Sequence, residues 1–328
     1  MNSKNQVTVI MYHYVRDLKR SRYFNIKGLT IDEFTAQLNY LSRFYTFIGI
    51  QDCIEAIYSE VDLPKNSVLL TFDDGFIDHF TSVYPILSQK KIQGCFFLPA
   101  SVIFESIVLD VHKIHFILAS TKSVNTTIIQ DLKDMWPQLL EDSSVLSYEY
   151  YYDKLAYESR FDSKEIIFIK RLLQYELVGE VRKRVINKLF KKYVTNDEKS
   201  FSNELYLNKD HVDCMIKNGM FFGAHGDQHN WLDRLNSNQL KNEVDRSVDF
   251  LQAIGIKKEQ WTMCYPYGAY NDSVKKLLID NCFKLAFSTE IGIACLKKSQ
   301  AFSLKRLDTN DLPKELNSFP NGWTKKVI

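Results

Sequence analysis

Short apolar runs alternate with helically spaced apolar residues over the first hundred positions. Val7–Tyr12 reads as a first strand ending at His13. Ile31–Phe44 reads as a helix, with Thr30 as N-cap and Glu33 closing a capping box. Thr46–Ile50 is a short strand candidate and Asp52–Ser59 a short helix. The run Ser67–Phe72 has the continuous apolar character of a strand buried on both faces, and it leads directly into Asp73-Asp74-Gly75. Asp78–Lys91 follows as a helix in which Pro85 should sit near a turn or kink, and Gly94–Pro99 as another buried strand.

The rhythm then breaks. From 101 to 206 helical patterns dominate. Ile166, Ile167, Leu172, Leu173, Leu177, Val181, Val185, Leu189 and Phe190 mark an apolar face. Alternation resumes with a helix over Lys209–Asn218 stopped by Gly219, and a strand Met220–Ala224 that delivers His225. A helix Asn238–Ile254, a strand Trp261–Tyr265, a helix Asn271–Asn281 and strands Leu285–Thr289 and Phe302–Asp308 complete the series. The pattern predicts an α/β fold with a parallel sheet or barrel. Its first part is 1–100 and its second 207–328, with a helical insertion over 101–206 placed to cap the site.

Composition changes this picture little. The 328 residues carry 42 Lys+Arg against 40 Asp+Glu, a net charge of +2, which gives no reason to expect nucleic acid or an anionic membrane as partner. No run of about 18 apolar residues predicts a transmembrane helix. Met1–Gln6 is polar and Val7–Met11 too short for a signal peptide. The six cysteines are scattered without a C-x-x-C pair. The expectation is reduced thiols in a cytoplasmic protein.

Chemistry-bearing residues gather at strand ends: His13, Asp73 with Asp74, His225 and Tyr265. In parallel α/β folds these ends share one face, where sites form. Two adjacent carboxylates repel unless a metal ion, a cation or a shared proton holds the charge. His225 and His229, four apart, would face one ion if carried on one helical turn. Two imidazoles and a carboxylate form a catalytic zinc set that leaves positions for water and substrate.

Thr71-Phe72-Asp73-Asp74-Gly75, followed by His225-x-x-x-His229 and by Tyr265-Pro266-Tyr267-Gly268, resembles the polysaccharide deacetylase family, the NodB-homology or carbohydrate esterase family 4 group. The resemblance covers about residues 7–100 and 207–310. It implies a distorted (β/α) barrel of about seven parallel strands that removes acetyl groups from sugars with one divalent metal ion. Zinc is the default, with cobalt, nickel and iron as alternatives. Position by position it implies Asp73 as base, Asp74, His225 and His229 as metal ligands, the backbone N–H of Tyr267 at the oxyanion, and Tyr265, Pro266 and Tyr267 against substrate. The sequence departs from the family where no histidine follows His229, where Cys264 occupies the place of an orienting arginine, and where Gly226 stands in place of Ser or Thr. Met11-Tyr12-His13 and Phe302–Arg306 resemble a subgroup acting on biofilm and surface polysaccharides. That resemblance implies His13 as general acid and Arg306 as the arginine beside Asp73.

The resulting expectation is a metal-dependent deacetylase acting on an N-acetyl, less readily an O-acetyl, group. The absence of a signal peptide suggests a small N-acetylated sugar, free or nucleotide- or lipid-linked, on the way to a surface glycan. One alternative is hydrolysis of a non-sugar amide, formamide or cyclic imide on the same scaffold. Another is a degenerate carbohydrate-binding protein. The sequence leaves oligomeric state open. His112 and His115, the tyrosines at 148, 150, 151 and 152, and the cations Arg182, Lys183, Arg184, Lys188, Lys191 and Lys192 read as packing and a wetted helix face rather than as further sites.

Overall fold

The computed structural model describes residues 5–121, 124–159 and 162–328. The start of the polar leader, residues 1–4, lies outside the described residues. Among the described residues nine strands form one sheet: β1 Gln6–Tyr12, β2 Thr46–Phe47, β3 Ser67–Asp73, β4 Gly94–Leu98, β5 Phe221–Ala224, β6 Thr262–Cys264, β7 Leu285–Ile291, β8 Ala294–Cys295 and β9 Leu304–Asp308. Their order is β2-β3-β4-β5-β6-β7-β9-β1-β8, and β1 also pairs with β3. Seven of them, β1, β3, β4, β5, β6, β7 and β9, therefore close into a parallel barrel. Strand β8 pairs antiparallel with the outer end of β1.

The period of two along each strand divides the apolar residues into two sets. Tyr12, Leu70, Phe72, Phe96, Phe222, Met263 and Ala286 pack with the surrounding helices. Val9, Leu69, Phe97, Phe221, Cys264, Phe287 and Leu304 form a second cluster, the barrel filling. Gly223 shares that inner face, where an added Cβ would lie 2.7 Å from Thr262 Oγ1, so only glycine fits opposite Phe97.

Helices flank the barrel between strands. Helix Ile31–Phe44 has the expected capping box: Glu33 N donates to Thr30 Oγ1 at 3.2 Å, and Thr30 N to Glu33 Oε2 at 2.8 Å. The segment after β3 begins as one π-helical stretch, His79–Val83, and becomes α-helical at Tyr84–Lys90. Pro85 sits in the first turn of the α-helical part, at its junction with the π-helical stretch.

The chain divides into two compact units. The barrel unit comprises the chain up to Asp17, Gly28–Ile107 and Ser202–Ile328. The second comprises Leu18–Lys27 and Val108–Phe201 and is helical, with its own aromatic core. In that core Trp136 meets Tyr148 and Tyr151 edge-on, and Tyr148 meets Phe168 at 5.4 Å. Sequence periodicity does not assign the segment 18–27 to this unit. It joins through Tyr23 against Phe116 and through Lys27, which shares Asp162 with Lys170. Helix Gly179–Tyr193 buries Val181, Val185, Ile186, Leu189 and Phe190, leaving Lys183, Arg184, Lys188 and Lys191 in solvent.

Candidate active site

Inward parity places the site. Strand β3 points Leu69, Thr71 and Asp73 into the barrel, and β9 points Leu304 and Arg306 the same way. Arg306, 1% exposed, crosses the interior. Its Nη1 donates to Asp73 Oδ1 at 2.9 Å, and its Nη2 lies 2.8 Å from Asp73 Oδ2. Arg306 also donates to Ser288 O at 2.8 Å, Thr71 Oγ1 at 3.2 Å and Cys264 Sγ at 3.2 Å. Burial alone would raise the Asp73 pKa. Arg306, with smaller help from His225 and His13, outweighs it and holds the carboxyl below its ordinary value. Burial pushes the Cys264 thiol well up, so it stays protonated beside the ion pair.

One residue on, the chain leaves the strand. Asp74 has φ 79° and Gly75 φ 70°. Asp tolerates this left-handed conformation better than most residues, and Gly75 leaves room for Leu98, whose Cγ would be 2.6 Å from an added Cβ. The turn aims Asp74 at the end of β5. There Asp74 Oδ1 stands 3.4 Å from Nε2 of both His225 and His229. One ligand atom from each of these three buried residues lies within 4.8 Å of the others. His225 Nδ1 is 2.7 Å from Cys264 O. Donating there fixes the tautomer and leaves Nε2 as the electron-pair donor, the usual outer contact of a metal-binding imidazole. The donor chemistry thus fits a divalent ion. In the bare protein, burial would lower the His225 pKa, but Asp74 and Asp73 raise it above its ordinary value.

The two histidines are not on a helical turn. His225 directly follows β5, and the loop doubles back through Gly226 at φ 72° and His229 at φ 55°. The four-residue spacing works because the loop reverses, bringing the rings to 4.8 Å. Glu243, on helix Ser237–Ala253, receives Asp227 N at 2.6 Å, Gln228 N at 3.3 Å and Asn230 Nδ2 at 2.6 Å.

His13 follows β1 on the same inward parity, near enough to Asp73 to act on its charge. Its carbonyl accepts a hydrogen bond from His79 Nε2 at 2.9 Å. His79 is fully buried among Phe72, Phe76 and Phe96, and burial pushes its pKa down to about 4, so it donates as a neutral ring. Arg16 pairs with Asp78 at 2.6 Å and tethers the same segment. Tyr267 has φ 57°, with its ring stacked on Trp231 at 4.4 Å and edge-on to His229 at 4.5 Å. Pro266 is buried, and Tyr265 is wholly so: its hydroxyl donates to Phe302 O at 3.0 Å and its ring stacks on Tyr270. The structure therefore brings His13, Asp73, Asp74, His225, His229, Tyr267 and Arg306 together but turns the Tyr265 side chain into the outer packing. His112 and His115 are in the helical unit, with rings 5.9 Å apart, and belong to no group of three metal-ligating residues among the described residues.

Sequence reasoning missed Glu243, His79 and Trp231. Glu243 had a readable signal: an acid three residues after Leu240 and one before Val244, on the apolar stripe of its helix.

A closed parallel barrel whose strand ends surround a buried Asp-His-His group defines an α/β-barrel protein with a candidate metal centre. The family model described as polysaccharide deacetylase matches residues 60–115 and 185–285. Over those two segments, just under half of its length, the chain is similar to that family, and its resemblance to the NodB group stands. No curated protein matches it in sequence. Among solved structures it is similar to the Streptococcus pyogenes deacetylase PplD in complex with acetate, with TM-score 0.58 and 18% identity over 95% of this chain and 97% of that one. It is similar to IcaB from Ammonifex degensii, with TM-score 0.51 and 16% identity over 92% and 91%. It is also similar to a de-N-acetylase from Aggregatibacter actinomycetemcomitans, with TM-score 0.52 and 15% identity over 93% and 96%. At these identities the likeness establishes the shared fold.

Proposed function

We propose that this chain hydrolyses an N-acetyl group on a sugar of a cell-surface polysaccharide or of its precursor, with one divalent metal ion, zinc by default. The observation that carries the reading is the pairing of an ionised, arginine-held Asp73 with the adjacent Asp74-His225-His229 donor set. That one solved relative of the fold is a de-N-acetylase, and another was captured with acetate, favours the same chemistry.

A divalent ion held by Asp74, His225 and His229 would supply Lewis-acid polarisation of the acetyl carbonyl and a more acidic water. The protein groups do the rest. Asp73 accepts the proton of the attacking water, and Arg306 keeps its carboxylate ionised and fixed in plane. The Tyr267 N–H donates to the oxygen that gains charge. His13 gives a proton to the departing amine, held at its strand end by the His79 contact to its carbonyl. The stacked Trp231 and Tyr267 rings fix the His229 imidazole edge-on.

The test is acetate release from a panel of N-acetylated and O-acetylated sugars, nucleotide sugars and oligosaccharides, with metal-loaded wild type beside Asp73→Asn. Release by the wild type alone supports the reading. Silence from both, with metal bound, overturns the sugar substrate.

A further inference from the structure

The loop carrying both imidazoles has no regular secondary structure from Gly226 to Trp231, yet it must hold His225 and His229 against one point. Something other than a helix ladder has to fix it. Two contacts come from the neighbouring strand-to-helix corner: Ala100 N donates to Gly226 O at 2.9 Å, and Ser101 Oγ to Asp227 O at 2.6 Å. The loop's own donors converge on one side chain. Glu243, 5% exposed, receives Asp227 N, Gln228 N and Asn230 Nδ2. The glycine at 226 belongs to the same arrangement. A Cβ there would stand 2.9 Å from Glu243 Oε2 and 3.4 Å from Pro266 Cγ, on a backbone at φ 72°.

We infer that Glu243 is the positioning residue of the metal-binding loop, and that Gly226 leaves the room its carboxylate occupies. Glu243 does not touch the reacting atoms. It acts through the backbone between the two imidazoles, setting their separation before any ion arrives. A carboxylate suits this role because it accepts from several N–H groups at once and has nothing to donate. Glutamine at 243 keeps one acceptor and turns an NH2 toward donors. The inference rests on the metal reading above. It places the control of metal affinity on a helix that supplies no ligand.

The experiment is cobalt(II) binding to the purified full chain, read by chelator competition and by the visible spectrum of the bound ion. Wild type, Glu243→Gln, Asn230→Ala and Phe250→Leu are compared well below each Tm. Phe250→Leu is a core change on the same helix, at a residue outside this hydrogen-bond network. Glu243→Gln should weaken cobalt affinity about 10- to 100-fold and alter the spectrum, as outer-contact changes at metal sites do. Asn230→Ala should weaken it by less, and Phe250→Leu should lower Tm with affinity unchanged. Glu243→Gln binding cobalt like wild type overturns the inference. So does Phe250→Leu losing as much affinity for the same fall in Tm. Wild type taking up no cobalt overturns the metal reading itself, and that arm is read first.

Discussion

Arg306 reaches Asp73 across the width of β1, which lies between their strands, and meets both carboxylate oxygens at 2.9 and 2.8 Å. Both residues are 1% exposed. A pair this buried adds little net stability, but removing one partner strands a charge. Arg306→Met should therefore cost about 3–5 kcal/mol by urea unfolding. The same change should move the acid limb of the activity profile to higher pH, because Asp73 loses the cation that lowers its pKa. An unchanged acid limb would show that Arg306 does not govern Asp73.

Asp73→Asn should reduce kcat/KM by roughly 10²- to 10⁴-fold, the span of general base catalysis. Metal content should remain that of the wild type, because Asp73 is not among the three grouped donors. Loss of the metal together with activity would place Asp73 among the ligands.

His79 gives the fold a second acid-sensitive window. Its pKa is about 4 in the folded chain, against 6.5 as its ordinary value. The unfolded state therefore binds more protons between those pH values, and stability falls as pH drops from about 6.5 to about 4. The full loss is roughly 3 kcal/mol at 1.36 kcal/mol per pKa unit. Asp73, with its pKa held below the ordinary carboxylate value, contributes stability that is present above about 3.9 and lost as pH falls further. His79→Phe should flatten the upper window and leave the lower one. Equal slopes for both proteins from pH 6.5 to 4 would contradict this.

Stripping divalent ions with a chelator should lower Tm, and adding zinc back should restore it. At a free concentration 100 times Kd the gain is about 2.7 kcal/mol. Asp74→Ala should abolish the shift. A shift that survives in Asp74→Ala would locate the ion elsewhere.

Much of the barrel was legible because its strands are buried on both faces and appear as unbroken apolar runs. Ser67–Phe72 and Gly94–Leu98 are the clearest cases. The strand ends alone brought out His13 and Asp73, whereas Arg306 was named only through the family resemblance, and the period of two explains why it points inward with them. Periodicity could not reveal the path of a loop. The spacing of His225 and His229 suits a helical turn as well as the observed reversal, and only the positive φ at Gly226 and His229 separates them. The roles of His79 and Glu243 were obscured for another reason. The burial of Glu243 could be read from its place on the apolar stripe, but the backbone groups that His79 and Glu243 meet, at His13 and at Asp227–Gln228, leave no mark in a sequence.

The closing strand of the barrel has a consequence for biosynthesis. Strand β9 inserts between β7 and β1, and it carries the guanidinium that pairs with Asp73. A chain emerging from the ribosome exposes Asp73 more than two hundred residues before Arg306. Until residue 306 is released, the growing polypeptide has an open sheet edge and an acid facing its interior without its guanidinium partner. The Asp73–Arg306 pair can therefore form only as the barrel shuts, so a translation product halted before that residue would lack it.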